Sequence, residues 1–192
     1  MKPAVQNMLT AFSVRSLVAA LVTTTVATAV ATTVASAQAA PTETTGTFNE
    51  AVVDAPPTEV WRAFTTKAGM ESWMVGKAEV DFRVGGLLRT NYRKDSVIGD
   101  EGTIENAVLS FDPQRMYSIK IVKTPKGFPF ATAYKSVWTV VYFEPVGVDK
   151  TKVSIRMLGY TDDDESQKMR EFFVRGNQYT LDQLVAKYRA AK

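Results

Sequence analysis

The chain has 192 residues, 23 of them basic and 20 acidic, and contains neither histidine nor cysteine. That composition excludes Ser-His-Asp and Cys-His catalytic arrangements, disulfides, and zinc or haem held by His or Cys. No phosphate loop, G-x-G-x-x-G or S-x-x-K motif appears, so no catalytic residue, metal or cofactor is assigned.

Lys2 and Arg15 precede an uncharged run from Leu17 to Ala35, and Ala35-Ser36-Ala37 and Ala37-Gln38-Ala39 follow it. A basic start, an apolar stretch and an A-x-A site together read as a secretory signal over residues 1–39. The run is long enough to span a bilayer. However, six of its nineteen residues are Thr, and most of the others are Ala or Val, which partition weakly into lipid. Cleavage after Ala39, or after Ala37, is therefore expected, giving an exported (periplasmic or secreted) protein with no stable membrane anchor. The remainder carries 21 basic and 20 acidic residues, a net +1, with the signs interspersed. Nucleic acid is not an expected partner of such a surface.

Residues 40–46 form a polar Pro/Thr-rich leader, expected to be disordered, and one domain over 47–192 follows. A strand is expected over about 47–54, ended by Ala55-Pro56-Pro57. Pro57 opens a short helix whose Val60, Trp61 and Phe64 face inward, and a second short helix covers 68–74. From Lys77 the period becomes two: Ala78, Val80 and Phe82 share one face. Gly85-Gly86 turns the chain into a strand with Leu88, Thr90 and Tyr92 on one side. GTIENAVLSF forms another strand, and RMYSIKIV places Tyr117, Ile119 and Ile121 together. A Pro/Gly loop, TPKGFPF, precedes YKSVWTVVYFEP, which is apolar on both faces, and KTKVSIRML alternates cleanly.

A helix over about 162–190 closes the chain. Thr161 is its expected N-cap, and the four acids 162–165 suit the macrodipole better than a calcium loop, whose spacing and Gly are missing. Phe173, Leu181, Leu184, Val185 and Tyr188 mark its buried stripe. Gly176 sits mid-helix, at a cost of about 1 kcal/mol relative to Ala, which leads to the expectation of a close approach there of the helix to the sheet or to a bound molecule. The order is thus a strand, two short helices, six strands and a helix some 43 Å long. Only a large curved antiparallel sheet wrapped around it could cover such a helix. This α+β arrangement leaves a cavity as a geometric by-product.

APPTEVWRAFTT, Trp73, VDFRVGGLLR, GTIENAV, VWTVVYFEPVGVDKTKVSIRMLGY and QYTLDQL, in that order and spacing, resemble the SRPBCC superfamily, the START-like or helix-grip group. The resemblance covers about residues 47–189 and is greatest to the branch related to the C-terminal domain of the activator of the heat-shock chaperone ATPase. It implies the helix-grip fold and, across relatives, lipid or hormone carriage, polyketide cyclisation or chaperone regulation. An exported protein would not meet the cytosolic chaperone, so that role is not carried over.

The expected ligand-binding residues are Trp73, Leu88, Tyr92, Tyr117, Phe128, Phe130, Trp138 and Phe173, on elements that surround the central space. The 124–130 loop is expected at the cavity mouth. Asp54, Asp81 and Glu105 are acid–base candidates only by lying on or beside strands. The expected function is a non-catalytic carrier or sensor for a small apolar or lipid-like molecule. The alternatives are a cyclase/aromatase-like enzyme using cavity Tyr, Arg or carboxylate groups, and a partner-binding module with a filled core. Convergence of Tyr92, Glu105 and Tyr117 inside the cavity would favour the enzyme.

Overall fold

The computed structural model describes residues 46–190. The expected signal segment 1–39, its cleavage site, and the leader up to residue 45 lie outside the described residues.

Seven antiparallel strands form one sheet: β1 (Thr47–Val53), β2 (Lys77–Val80), β3 (Leu87–Asn91), β4 (Ile104–Asp112), β5 (Met116–Lys123), β6 (Trp138–Pro145) and β7 (Thr151–Leu158). Their spatial order is β1-β7-β6-β5-β4-β3-β2. The sheet is curved, and β4 carries register shifts at Glu105/Asn106 and Val108/Ser110. Such bulges bend a strand and raise its twist, so the curvature has a local cause on the strand nearest the centre of one wing.

The helices are α1 (Pro57–Thr65), α2 (Lys67–Glu71) and α3 (Asp164–Ala190). Pro57 starts α1, where its missing N–H costs nothing. Thr66 caps α2, its hydroxyl accepting from the Gly69 amide at 3.0 Å. That second helix ends at Glu71 rather than 74, leaving Trp73 in the turn beyond it. The segment 134–145 is strand only from Trp138; Ala133–Lys135 forms a 3-10 turn.

The long helix begins two residues later than expected, which moves its cap from Thr161 to Asp163. The Asp163 carboxylate accepts from the Ser166 amide at 2.9 Å, and the Ser166 hydroxyl accepts in return from the Thr161 amide at 2.9 Å. One orphan helix amide is thereby satisfied, and the chain entering the helix is tied back to its first turn. Glu165 accepts from the Thr132 amide at 3.0 Å and from the Thr132 hydroxyl, tying the 3-10 turn to the helix start.

α3 packs firmly at its two ends. Near its start, Met169 is fully buried among Phe130, Ala133, Val137, Met157 and Tyr160. Near its end, Leu181, Leu184 and Tyr188 join Val53, Val60, Phe64 and Val153 in the main core. Between them, Phe173, Gly176, Asn177 and Thr180 are only half-buried. The middle of the helix therefore stands off the sheet. Among the described residues no helix is long and apolar enough to cross a membrane.

Candidate functional site

The gap under the middle of α3 is a cavity of about 350 Å³. Alternation along the strands decides what faces it. Leu88, Thr90 and Tyr92 approach from β3 and its end, Ile104 and Asn106 from β4, and Tyr117, Ile119 and Ile121 from β5. Phe64, Met70, Met74 and Val75 close one side from the short helices. Thr124, Pro125 and Phe128 of the 124–130 loop, with Phe172, Phe173, Asn177 and Thr180 of α3, close the other.

No charged side chain is among the lining residues. Eight are nonetheless polar or phenolic, and the side chains of Thr90, Asn106 and Thr139 and the Tyr117 hydroxyl make no hydrogen bond to another described residue. Thr90 and Tyr117 are buried, and burial pushes the Tyr117 phenol well above the usual tyrosine range. Neither hydroxyl oxygen is among the unpartnered side-chain atoms shut off from solvent, so both open onto the cavity. These groups point into a space where a ligand could supply a partner.

A second, more open recess of about 450 Å³ adjoins the cavity, lined by Trp73, Gly176, Tyr179 and Gln183. It shares Met74, Tyr92, Phe172, Phe173, Asn177 and Thr180 with the inner cavity, so it forms that cavity's vestibule. The loops at this end are tied together. Asn91 donates to Asp100 at 2.8 Å, the Asp100 carboxylate also takes the Gly102 amide at 2.9 Å, and Lys126 pairs with Glu101 at 2.7 Å.

Of the eight residues expected to contact a ligand, Leu88, Tyr92, Tyr117, Phe128 and Phe173 line the cavity. Trp73 lines the vestibule, with its indole N–H donating to the Ala63 carbonyl at 3.1 Å rather than standing free for a ligand. Phe130 and Trp138 are not in the lining. Phe130 is buried against Met157 and Met169, and its partner Phe128, at 5.4 Å in an edge contact, forms the wall instead. Thr139 faces the cavity, so alternation turns Trp138 to the other face of β6. There its ring lies against Gly159, whose φ is +91°. A Cβ at Gly159 would lie 2.2 Å from the Ser136 carbonyl oxygen and 2.7 Å from the Trp138 ring, so only glycine fits.

The expected close approach of Gly176 to the sheet is not found: a Cβ built there meets no atom within 4 Å. Glu105 does not join Tyr92 and Tyr117. It sits between Arg89 and Lys123, at 3.9 and 3.7 Å, on the face opposite Asn106. Asp81 pairs with Arg83 at 3.0 Å and Asp54 with Lys150 at 3.1 Å, both away from the cavity lining.

Ile119 and Ile121 share the face that alternation assigns to Tyr117. Asn106, Thr139 and Asn177 were not singled out, because an uncharged polar residue facing a cavity has the same sequence signature as one facing water.

The family model described as Activator of Hsp90 ATPase homolog 1-like protein matches residues 54–188. Among solved structures, a Mesorhizobium loti protein is 17% identical with a TM-score of 0.59, covering 77% of this chain and 98% of its own. The Aha1 dimer from Colwellia psychrerythraea is 13% identical with a TM-score of 0.58, over 74% of this chain and 95% of that one. CalU16 from Micromonospora echinospora is 20% identical with a TM-score of 0.55, over 74% and 75% respectively. No curated protein sequence matches the chain.

Proposed function

The chain belongs to the activator of Hsp90 ATPase homolog 1-like family, within the SRPBCC superfamily, and from that premise we propose an exported, non-catalytic carrier or sensor of a small uncharged molecule. The observation that carries this reading is the 350 Å³ cavity with no charged lining side chain. Placing an ion against such walls would strip its hydration without a counter-charge, a cost of several kcal/mol. An apolar body with one or two hydrogen-bonding groups suits them, the polar groups meeting Thr90, Asn106 or Tyr117.

Size follows from packing. A dry cavity of about 150 Å³ holds benzene, so 350 Å³ scales to about 14 non-hydrogen atoms. A micromolar Kd, about −8 kcal/mol, then needs about 0.6 kcal/mol per atom. That lies between the values of about 0.3 for drug-sized ligands and 1.5 for the best small ones. Cyclase-type catalysis would have to rest on Tyr92 and Tyr117 alone, since no Arg or carboxylate lines the cavity. The pairing of Asp54, Asp81 and Glu105 with Lys150, Arg83 and Arg89 favours holding a molecule over transforming it.

The test uses delipidated protein lacking residues 1–39 and two probes of similar size. Uncharged 1-aminoanthracene is expected to bind with a Kd near micromolar, while the anionic anthracene-1-carboxylate binds at least tenfold more weakly. Glu105→Gln leaves both unchanged. Failure of well-folded protein to bind any apolar probe, or a preference for the anion, overturns the reading. Export is tested separately by N-terminal sequencing of protein from its native host, where the first residue is expected to be Ala40, or Gln38 if the other site is used. Retention of residues 1–39 on membrane-bound protein would refute it.

A further inference from the structure

We propose that the cavity and its vestibule form one continuous site for an elongated uncharged ligand, and that Gly176 sets how long that ligand can be. This inference rests on the carrier reading above. Glycine is the poorest helix former after proline, yet Gly176 lies near the middle of a 27-residue helix. Two ordinary structural reasons for a glycine are absent. Its backbone is not in the left-handed region, and a Cβ would meet no atom within 4 Å, so no close packing requires its absence. What lies over Gly176 is the open vestibule.

Helical spacing puts Gly176 on the same stripe as Phe173, Asn177 and Thr180, all of which line both spaces. A molecule longer than about 14 atoms, the capacity scaled above for the inner cavity, would leave it past these residues and lie against bare helix backbone at Gly176. The vestibule is also free of charged lining side chains. Its rim exposes aromatic surface: Tyr92 is 68% exposed, Tyr179 66% and Phe172 43%. Apolar area of this kind at the outer end suits the far end of an uncharged chain better than a charged headgroup.

The experiment compares wild type, Gly176→Ala and Gly176→Leu, delipidated and checked for native circular dichroism. 1-Alkanols of 6 to 18 carbons compete with 1-aminoanthracene. In wild type, affinity should rise about fourfold per methylene beyond 13 carbons, because the vestibule continues the site. Gly176→Leu should match wild type for short alkanols, then level off, falling behind by about fourfold for each further methylene. Gly176→Ala, which adds one carbon, should melt at a higher temperature than wild type through helix propensity and lose less affinity for long alkanols than the Leu variant. Parallel curves for wild type and Gly176→Leu through the whole series would overturn the proposal, as would an equal loss at every length. Wild-type protein that binds 1-aminoanthracene but shows no gain with alkanol length overturns this inference and leaves the carrier reading standing. Protein that binds neither probe nor alkanol overturns both.

Discussion

Replacing Tyr117 by phenylalanine deletes one oxygen and keeps the ring. The ring is 4% exposed and packs against Phe82 at 5.8 Å, Trp61 and Phe143 at 6.1 Å, and Phe64 at 6.3 Å. All of these contacts survive the change. The hydroxyl makes no hydrogen bond to another described residue and is not among the unpartnered side-chain atoms shut off from solvent, so it opens onto the cavity, where water can meet it when no ligand is bound. Ligand-free Tyr117→Phe should therefore unfold in urea at the same or a slightly higher midpoint, a change of about 0 to +1 kcal/mol. If the ligand supplies the missing partner, the variant should lose one hydrogen bond, about 0.5–1.5 kcal/mol, read as a 2- to 13-fold weaker Kd for 1-aminoanthracene.

High pH gives an independent check. Burial raises the folded-state phenol above its unfolded value near 10, so the associated stability is complete below pH 10 and declines as pH rises beyond it. Burial also raises Tyr160, and pushes Tyr188 up to about 12, so Tyr117→Phe should reduce this alkaline loss without abolishing it. Destabilisation of the ligand-free variant by more than about 1 kcal/mol would refute the reasoning, since the hydroxyl would then be satisfied within the fold.

Two further outcomes concern α3. Leu184 is fully buried in the main core, so Leu184→Ala should cost about 2–5 kcal/mol in urea unfolding. Lys168→Ala, on an exposed position, should stay within about 0.5 kcal/mol; equal effects would mean the helix register is wrong. At its start, the Thr161 hydroxyl first, then the Ser166 amide, hold the Asp163 carboxyl below the usual carboxylate range. The Thr132 hydroxyl and then its amide do the same for Glu165. Depressed folded values mean that this stability is present above pH of about 4 and is lost as pH falls through them. The double variant Asp163→Asn, Glu165→Gln should therefore show a shallower fall of Tm between about pH 4 and pH 2, and an unchanged slope would exclude these two groups as its cause.

Alternation made the cavity walls legible wherever a strand has one polar and one apolar face. Leu88, Thr90 and Tyr92, and Tyr117, Ile119 and Ile121, were paired correctly because a one-residue slip would turn the intervening Arg89, Ser118 and Lys120 inward. β6 offered no such signal. Val137, Trp138, Val140, Val141 and Phe143 are apolar on both faces, so the inward turn of Thr139, and with it the outward turn of Trp138, depended on pairing with β5 and β7. Phe128 and Phe130 likewise differ only by which one the loop lays against Met169. The cap moved from Thr161 to Asp163 because both residue types cap well and four consecutive polar residues give the helix several possible starts. Gly176 shows a sharper limit. Its residue type announces that a Cβ is unwanted, but crowding and open space leave the same mark in a sequence.

The energetics of the void tie these observations together. Deleting buried side chains destabilises proteins by about 24 cal/mol per Å³ of space created, so filling 350 Å³ could at most contribute about 8 kcal/mol, comparable with the whole stability of a small domain. The chain instead anchors α3 at Met169 and at Leu181–Leu184 and lines the intervening gap with hydroxyl and amide groups as well as hydrocarbon. Larger apolar residues at Thr139 or Asn177 would fill it. Polar walls admit water, which lowers the cost of leaving the space unpacked below that of a dry void. A ligand that displaces this water while meeting the same hydroxyl and amide groups binds only the folded state. Its occupancy is then linked to stability as RT ln(1 + [L]/Kd), about 2.7 kcal/mol at a hundredfold excess over Kd. The residues that keep the helix off the sheet are thus the ones through which a bound molecule would hold the two together.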